Sequence, residues 1–248
     1  MKIIDKNIKD GRLTVRFMGI KLFTHKLNRS GKKNIFVLIK QDGTKVYNPK
    51  IKGLTVRFRG GYNVVKLYEP ITHALNNVNL NLKNKDKIEI KQTKNVIQSL
   101  SVQCFGHSKV FIDEDFSIGS GGFIADYGSK ISIGKDCMFS ANIIMQTSDS
   151  HIIYDGNSKK FIGTNDIVIG NHVWVGFGCK ILKKSIIPDN CIVGMDSIVT
   201  KQFTDKNSVI VGCPAKVVKT NMFWDRKHYN EMKEEKAESV YLEKFNNI

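Results

Sequence analysis

From Ile169 onward, large aliphatic residues return every six positions, at Ile169, Val175, Ile181, Ile187, Val193 and Val199, and Val211 follows at twice that interval. The fourth residue after each of the first five is Val173, Cys179, Ser185, Cys191 or Ser197, slim every time, and Gly170, Gly176, Gly194 and Gly212 directly follow an aliphatic position. A helix would repeat its apolar residues at i+3, i+4 and i+7, so a strict six fits no helical face. It fits a coil of short strands joined by turns, each aliphatic residue stacking on its counterpart in the next coil.

Upstream the same phase is ragged: Ile112, Ile118 and Ile124, then Ile133, Phe139 and Met145 after a slip of three. Earlier still, apolar and polar residues alternate, with Leu54, Val56 and Phe58 set against Thr55, Arg57 and Arg59, followed by Val78, Leu80 and Leu82, then Leu100, Val102 and Cys104. Period two means strands with one buried face. The pattern predicts a β-coil over residues 54–217, degenerate at first and regular later. Residues 1–53 hold the strand-like pieces RLTVRF and NIFVLI and are expected to cap the first coil and cover its edge. Residues 218–248 mix charges with Met222, Phe223, Trp224, Tyr229, Met232, Val240, Tyr241 and Phe245, and from 222 on neither Pro nor Gly interrupts them, so a C-terminal helix is expected there.

Charge changes this picture more than composition does. The 248 residues carry 39 Lys and Arg against 23 Asp and Glu, a net +16, of which residues 1–67 contribute +14 from 17 basic and 3 acidic residues. Such a field attracts polyanions, whether an acidic polysaccharide, nucleotide phosphates, an anionic membrane face or nucleic acid, and a solvated surface is the plain alternative. The N-terminus shows no apolar core or cleavage site of a signal peptide, and no segment has the length to span a bilayer, which points to the cytoplasm. Five cysteines lack disulfide or zinc spacing, and Cys137, Cys179 and Cys191 share the slim phase, so packing is their expected role and no metal is expected.

The run from Ile169 to Val199, the stretch IVIGNHVWVGFGCKIL, the segment VGMDSIVTK and the ending VGCPAKVVK together resemble the hexapeptide-repeat acyltransferases over roughly residues 105–225. That resemblance implies a left-handed parallel β-helix, a homotrimer and acetyl-CoA as co-substrate. The stretch TSDSHIIYD followed by IGNHVWVG is similar to bacterial O-acetyltransferases that decorate surface polysaccharides, including those modifying sialic acid in capsules or lipooligosaccharides. The basic N-terminal third lies outside the family pattern.

Between Met145 and Ile169 the positions in phase are His151, Asn157 and Gly163, so the wall of the coil is expected to open into a loop over 146–165. Loops on rigid scaffolds often present reactive groups. O-acetyl transfer needs a base for the proton of a sugar hydroxyl, and imidazole titrates in the right range; the resemblance places the catalytic histidine at His151. Asp149, two residues before it, or Asp155, four after, is expected to orient the imidazole. The resemblance puts Trp174 beside thioester and acceptor, with a subunit-interface aromatic as the alternative. It lays coenzyme A between coils of two subunits, where Gly176 and Gly194 would let the pantetheine arm approach, Lys201 and Lys216 would meet phosphates, and Pro214 and Ala215 would lie by the adenine. An oxyanion partner is needed too, a backbone N–H or a neighbour's side chain. His172 is expected to face solvent or a neighbouring subunit.

The resulting expectation is an acetyl-CoA-dependent O-acetyltransferase with His151 as general base, acting on an acidic surface glycan, best a sialylated one, its basic third holding either that polyanion or, peripherally, the inner membrane face. The alternative acceptor is small: an antibiotic, a serine or an amino-sugar nucleotide. A β-helix metal enzyme lacks a close histidine pair, and a nucleic-acid binder lacks a module and interleaved aromatics.

Overall fold

The computed structural model describes residues 4–9, 12–17, 20–26 and 33–228, with side chains from residue 33 on. Its strands stack into three parallel faces around one apolar interior. The first face runs through Ile35–Ile39, Val64–Tyr68, Lys87–Ile90, Lys109–Ile112, Lys130–Ile133, Ile167–Ile169 and Ile186–Ile187. The second holds Leu75–Asn76, Ile97–Gln98, Ser117–Ile118, Met138–Phe139, Trp174–Val175, Ile192–Val193 and Val209–Gly212. The third holds Leu54–Phe58, Val78–Leu82, Leu100–Cys104, Gly121–Ala125, Ile143–Gln146, Lys180–Leu182 and Ile198–Val199. The chain visits first, second and third face in turn and rises one strand per circuit, which makes a parallel β-solenoid. Corners are turned by residues at positive φ, among them Asn77, Asp115, Asp136, Asn142, Asn190 and Asp196, whose short polar side chains tolerate that conformation.

The length of a circuit explains why the rhythm is clear in one half and ragged in the other. Val168 pairs with Ile186, so that circuit is three hexapeptides long and each face receives one. Val64, Lys87, Lys109 and Lys130 stand on one another in turn, at intervals longer than three hexapeptides, and the extra corner residues break the six. Ile169, Val175, Ile181, Ile187, Val193 and Val199 all point inward and are buried, as are the slim residues between them. Two in-phase residues do not. Ile124 lies outward while Phe123 and Ala125 fill the core, and Val211 yields the interior to its neighbour Ile210, which pairs with Val193 one position ahead of the period.

Both ends differ from expectation. Parallel pairing starts upstream of residue 54, because Ile35–Ile39, from the NIFVLI piece, pairs with Val64–Tyr68; RLTVRF is the middle strand of an antiparallel sheet with Ile4–Lys9 and Ile20–Lys26. Strand Lys45–Tyr47 lies antiparallel on the outer edge of Ile35–Ile39. At the other end Ala215–Lys219 lies antiparallel on Val209–Gly212. The helix expected from residue 218 is absent as far as residue 228, because Ala215–Lys219 is a strand and Trp224 and Arg226 pin an extended segment to the solenoid; residues 229–248 lie outside the described residues. Among the described residues no helix is long and apolar enough to cross a membrane.

Cys104, Cys137, Cys179 and Cys191 are buried thiols, and Cys213 is exposed. Burial pushes the Cys137 thiol up to about 12, and its Sγ donates to Gly170 O at 3.2 Å. A thiol alkylates as thiolate, so iodoacetamide at pH 8 is expected to label Cys213 alone in native protein and all five cysteines in guanidinium, read by intact mass. Ile181→Ala is expected to lower unfolding free energy by about 2–5 kcal/mol and exposed Val96→Ala by less than about 0.5 kcal/mol, compared by chemical denaturation.

Candidate active site

Among the described residues the solenoid wall opens at one place. Ile131 pairs with Ile167, so the circuit between them is double length, and the surplus leaves the wall after Gln146. The neck is stitched shut: Thr147 N donates to Ile124 O at 3.1 Å and Asn165 N to Thr147 O at 3.0 Å. Beyond it, Ile153–Tyr154 and Phe161–Ile162 form a short antiparallel hairpin. Asp155 serves the hairpin turn. Its Oδ1 accepts from Asn157 N at 3.0 Å and Ser158 N at 2.6 Å, and the Ser158 backbone hydrogen bond holds its carboxyl below the usual range.

Between this excursion and the wall lies a cleft of about 360 Å³, lined by His151 with Gln103, Phe105, Asp126, Tyr127 and Phe161 among others. His151 is exposed, and among the described residues its ring accepts and donates no hydrogen bond. The backbone carrying it is held on both sides. Ser148 donates its hydroxyl to the Asp126 carboxylate, Ser150 N donates to Ser148 Oγ at 3.0 Å, and Gln146 Nε2 donates to Ser150 Oγ at 2.8 Å. Lys183 Nζ pairs with the Asp149 carboxylate and donates to Gly163 O at 3.4 Å, which ties the outgoing and returning chain together. Neither Asp149 nor Asp155, then, meets the imidazole: each carboxylate is engaged elsewhere. Lys183, Asp126 and Ser148 carry no sequence signal, because each belongs to a different circuit from its partner and meets it only through coil register.

Trp174 stands on the second face and is not among the residues lining the His151 cleft. It is 38% exposed, pairs in register with Met138 and Ile192, and tilts against Trp224 at 6.1 Å between ring centroids. With Met138, Trp224 and Arg226 it lines a second cleft of about 490 Å³. His172 clasps the tail there rather than facing solvent. Its ring stacks on Trp224 at 4.0 Å, Nδ1 meets Asp136 Oδ2 at 2.7 Å and Nε2 meets Trp224 O at 3.1 Å, while Trp224 Nε1 donates to His172 O at 2.9 Å. Arg226 Nε donates to Asp136 Oδ1 at 3.0 Å.

A Cβ on Gly176 would stand 2.8 Å from Met195 N, and one on Gly194 2.5 Å from Val211 Cγ1, so the stacking of the next coil already requires both glycines. Lys201 is exposed, its Nζ 5.2 Å over the Phe203 ring. Pro214 and Lys216 are exposed and Ala215 is buried, at the hairpin joining Val209–Gly212 to Ala215–Lys219. Among the described residues no group of three His, Cys, Asp or Glu is placed to hold a metal ion.

No protein-family model matches the chain. A crystal structure of a polysialic acid O-acetyltransferase superposes with a TM-score of 0.63 at 28% identity, covering 75% of this chain and 90% of that one. A putative acetyltransferase of Dictyostelium discoideum is 30% identical over 157 residues, 60% of this chain and 79% of its own length. The chain belongs to the hexapeptide-repeat acetyltransferases. Within this family, the polysialic acid O-acetyltransferase of Neisseria meningitidis is 38% identical over 137 residues, 54% of this chain and 64% of that enzyme. That of Escherichia coli O1:K1 is 36% identical over 120 residues, 48% of this chain and 39% of that enzyme. The matched stretch thus spans less than two thirds of either enzyme.

The tether at the neck of this family member is open to a direct test. A double-mutant cycle of Asp149→Ala and Lys183→Ala is expected to give a coupling free energy of about 0.5–3 kcal/mol in chemical denaturation, whereas Asp155→Ala with Lys183→Ala is expected to be additive.

Proposed function

We propose that this chain is an acetyl-CoA-dependent O-acetyltransferase acting on sugar hydroxyls of an acidic bacterial surface glycan, with a sialic acid polymer as best acceptor. The observation that carries the reading is His151: an imidazole with neither nitrogen engaged among the described residues, held where the solenoid wall opens over a cleft roomy enough for a sugar. Similarity to two polysialic acid O-acetyltransferases supports the choice of acceptor.

In this mechanism His151 takes the proton of the acceptor hydroxyl as its oxygen attacks the thioester carbonyl. The tetrahedral intermediate collapses with cleavage of the C–S bond, and the coenzyme A thiolate leaves with the proton carried by the imidazolium. Asp149, through its pair with Lys183, positions the backbone on which His151 sits rather than the ring itself. Coenzyme A is co-substrate. Lys201 lies after the third-face strand Ile198–Val199, at the corner one coil beyond Lys183, and offers its exposed ammonium to a phosphate; Lys216 offers another beside Pro214 and Ala215. Gly176 and Gly194, which let successive coils close on one another, border the path of the pantetheine arm in this reading.

A left-handed coil assembled as a homotrimer completes the reading, with Trp174 brought to the cleft of a neighbouring copy. Outward apolar residues such as Ile144, Val168, Phe177 and Met195 give the assembly its contacts. The enzyme works in the cytoplasm at the inner membrane face, held there by the basic N-terminal third.

Purified protein given acetyl-CoA and a panel of sialylated glycans, neutral glycans and small acceptors is expected to release coenzyme A thiol only with sialylated acceptors. His151→Ala is expected to lower kcat/KM by about 10²–10⁴ with the melting temperature unchanged. Full activity in His151→Ala would falsify the assignment of the base, and turnover of a small acceptor alone would replace the glycan.

A further inference from the structure

We infer that the enzyme carries an extended acceptor track along one corner of the solenoid, ending in an anion subsite at Arg59 and Lys83 about four coils from His151; the inference rests on the glycan reading above.

The outward positions of the third face form one ladder. Arg57 stands on Asn81, Asn81 on Gln103, Gln103 on Ile124 and Ile124 on Gln146, whose amide reaches Ser150 beside His151. Parallel strands are about 4.8 Å apart, so four steps span about 19 Å, more than one sugar ring. A third cleft, of about 250 Å³, lies at the far end, lined by Arg59, Asn81, Lys83, Asn84, Gln103 and Phe105 among others. Gln103 and Phe105 also line the His151 cleft, so the two open into one groove along the coil axis.

The groove is graded chemically. Amides of Asn81 and Gln103 can both donate to and accept from hydroxyls, and the half-buried Phe105 ring offers a flat apolar surface at the junction. Arg59 and Lys83 are exposed, and among the described residues their side chains have no ion pair or hydrogen bond. The Asp86 carboxylate, bonded to the backbone of Lys83, does not pair with them. Asp86 is buried, and its two oxygens accept from Lys83 N at 2.7 Å, Asn84 N at 3.1 Å, Gly106 N at 2.9 Å and Ser108 N at 2.9 Å. Two free cations at the end of an amide-lined groove fit a chain of sugars that carries carboxylates at intervals, with one residue at His151 and another at Arg59 and Lys83.

The test is acceptor length. Arg59→Glu with Lys83→Glu is expected to raise KM for a long sialic acid polymer at least tenfold and leave kcat/KM for the sialic acid monomer within twofold. Lys94→Glu, an exposed charge reversal on another corner, is expected to change neither. Direct titration of fluorescent polymer onto His151→Ala protein, without acetyl-CoA, is expected to show the same loss of binding in the charge-reversed background. Equal losses on polymer and monomer, or an equal loss in Lys94→Glu, would overturn the track. Failure of the unmodified enzyme to use either acceptor, with polymer binding still dependent on Arg59 and Lys83, would overturn the transferase reading and uphold the track.

Discussion

Main-chain hydrogen bonds between successive coils hold each inward side chain over its counterpart one coil away, and little in the solenoid is independent of that constraint. With three narrow faces closing on one axis, the interior admits an aliphatic residue and a slim one per hexapeptide. The wall can therefore neither gain a residue nor widen without disturbing the coil above it. Variation is pushed to corners, where Asn and Asp at positive φ turn the chain, and to excursions that leave the wall and return to the same rung. Such an excursion carries His151. The proposed chemistry thus sits where the packing rule is suspended, anchored by neck hydrogen bonds that restore the rule on either side.

Legibility followed the same constraint. The stretch from Ile169 to Val199 could be read because its circuits divide into three equal sixes, so face, phase and burial coincide. Upstream, longer circuits add corner residues that a fixed period cannot follow, and the six-residue phase points Ile124 inward although it lies outward. The same corner residues hid the parallel pairing of Ile35–Ile39. His151 was visible because a polar residue stood where a wedge belonged. Its supports were not. Lys183 reads in sequence as an ordinary solvated lysine, and Asp149 looks like a partner for the nearby imidazole until the next coil places Lys183 against it. The tail misled for a related reason: Trp224 and Arg226 suit an amphipathic helix, yet their partners His172 and Asp136 lie several circuits back, beyond any local pattern.

Register also explains how one surface can combine distant parts of the chain. A groove running along the axis collects one residue from each circuit, so Arg59 and Ser150, 91 positions apart in sequence, stand only about four strand spacings apart. Arg59, from the basic part of the sequence, and His151, from the interruption in its middle, border two clefts that share Gln103 and Phe105, however far apart they stand along the chain.

The two antiparallel strands at opposite ends bear on something else. A stack of parallel coils offers an unfinished edge at each end, and identical molecules could add to it without limit. Lys45–Tyr47 on the first face and Ala215–Lys219 on the second reverse direction there, so the next coil of another molecule would find its hydrogen-bonding pattern out of step. Each reversed strand covers one of the three faces at its end, so the edge open to a templating partner is narrower by a third.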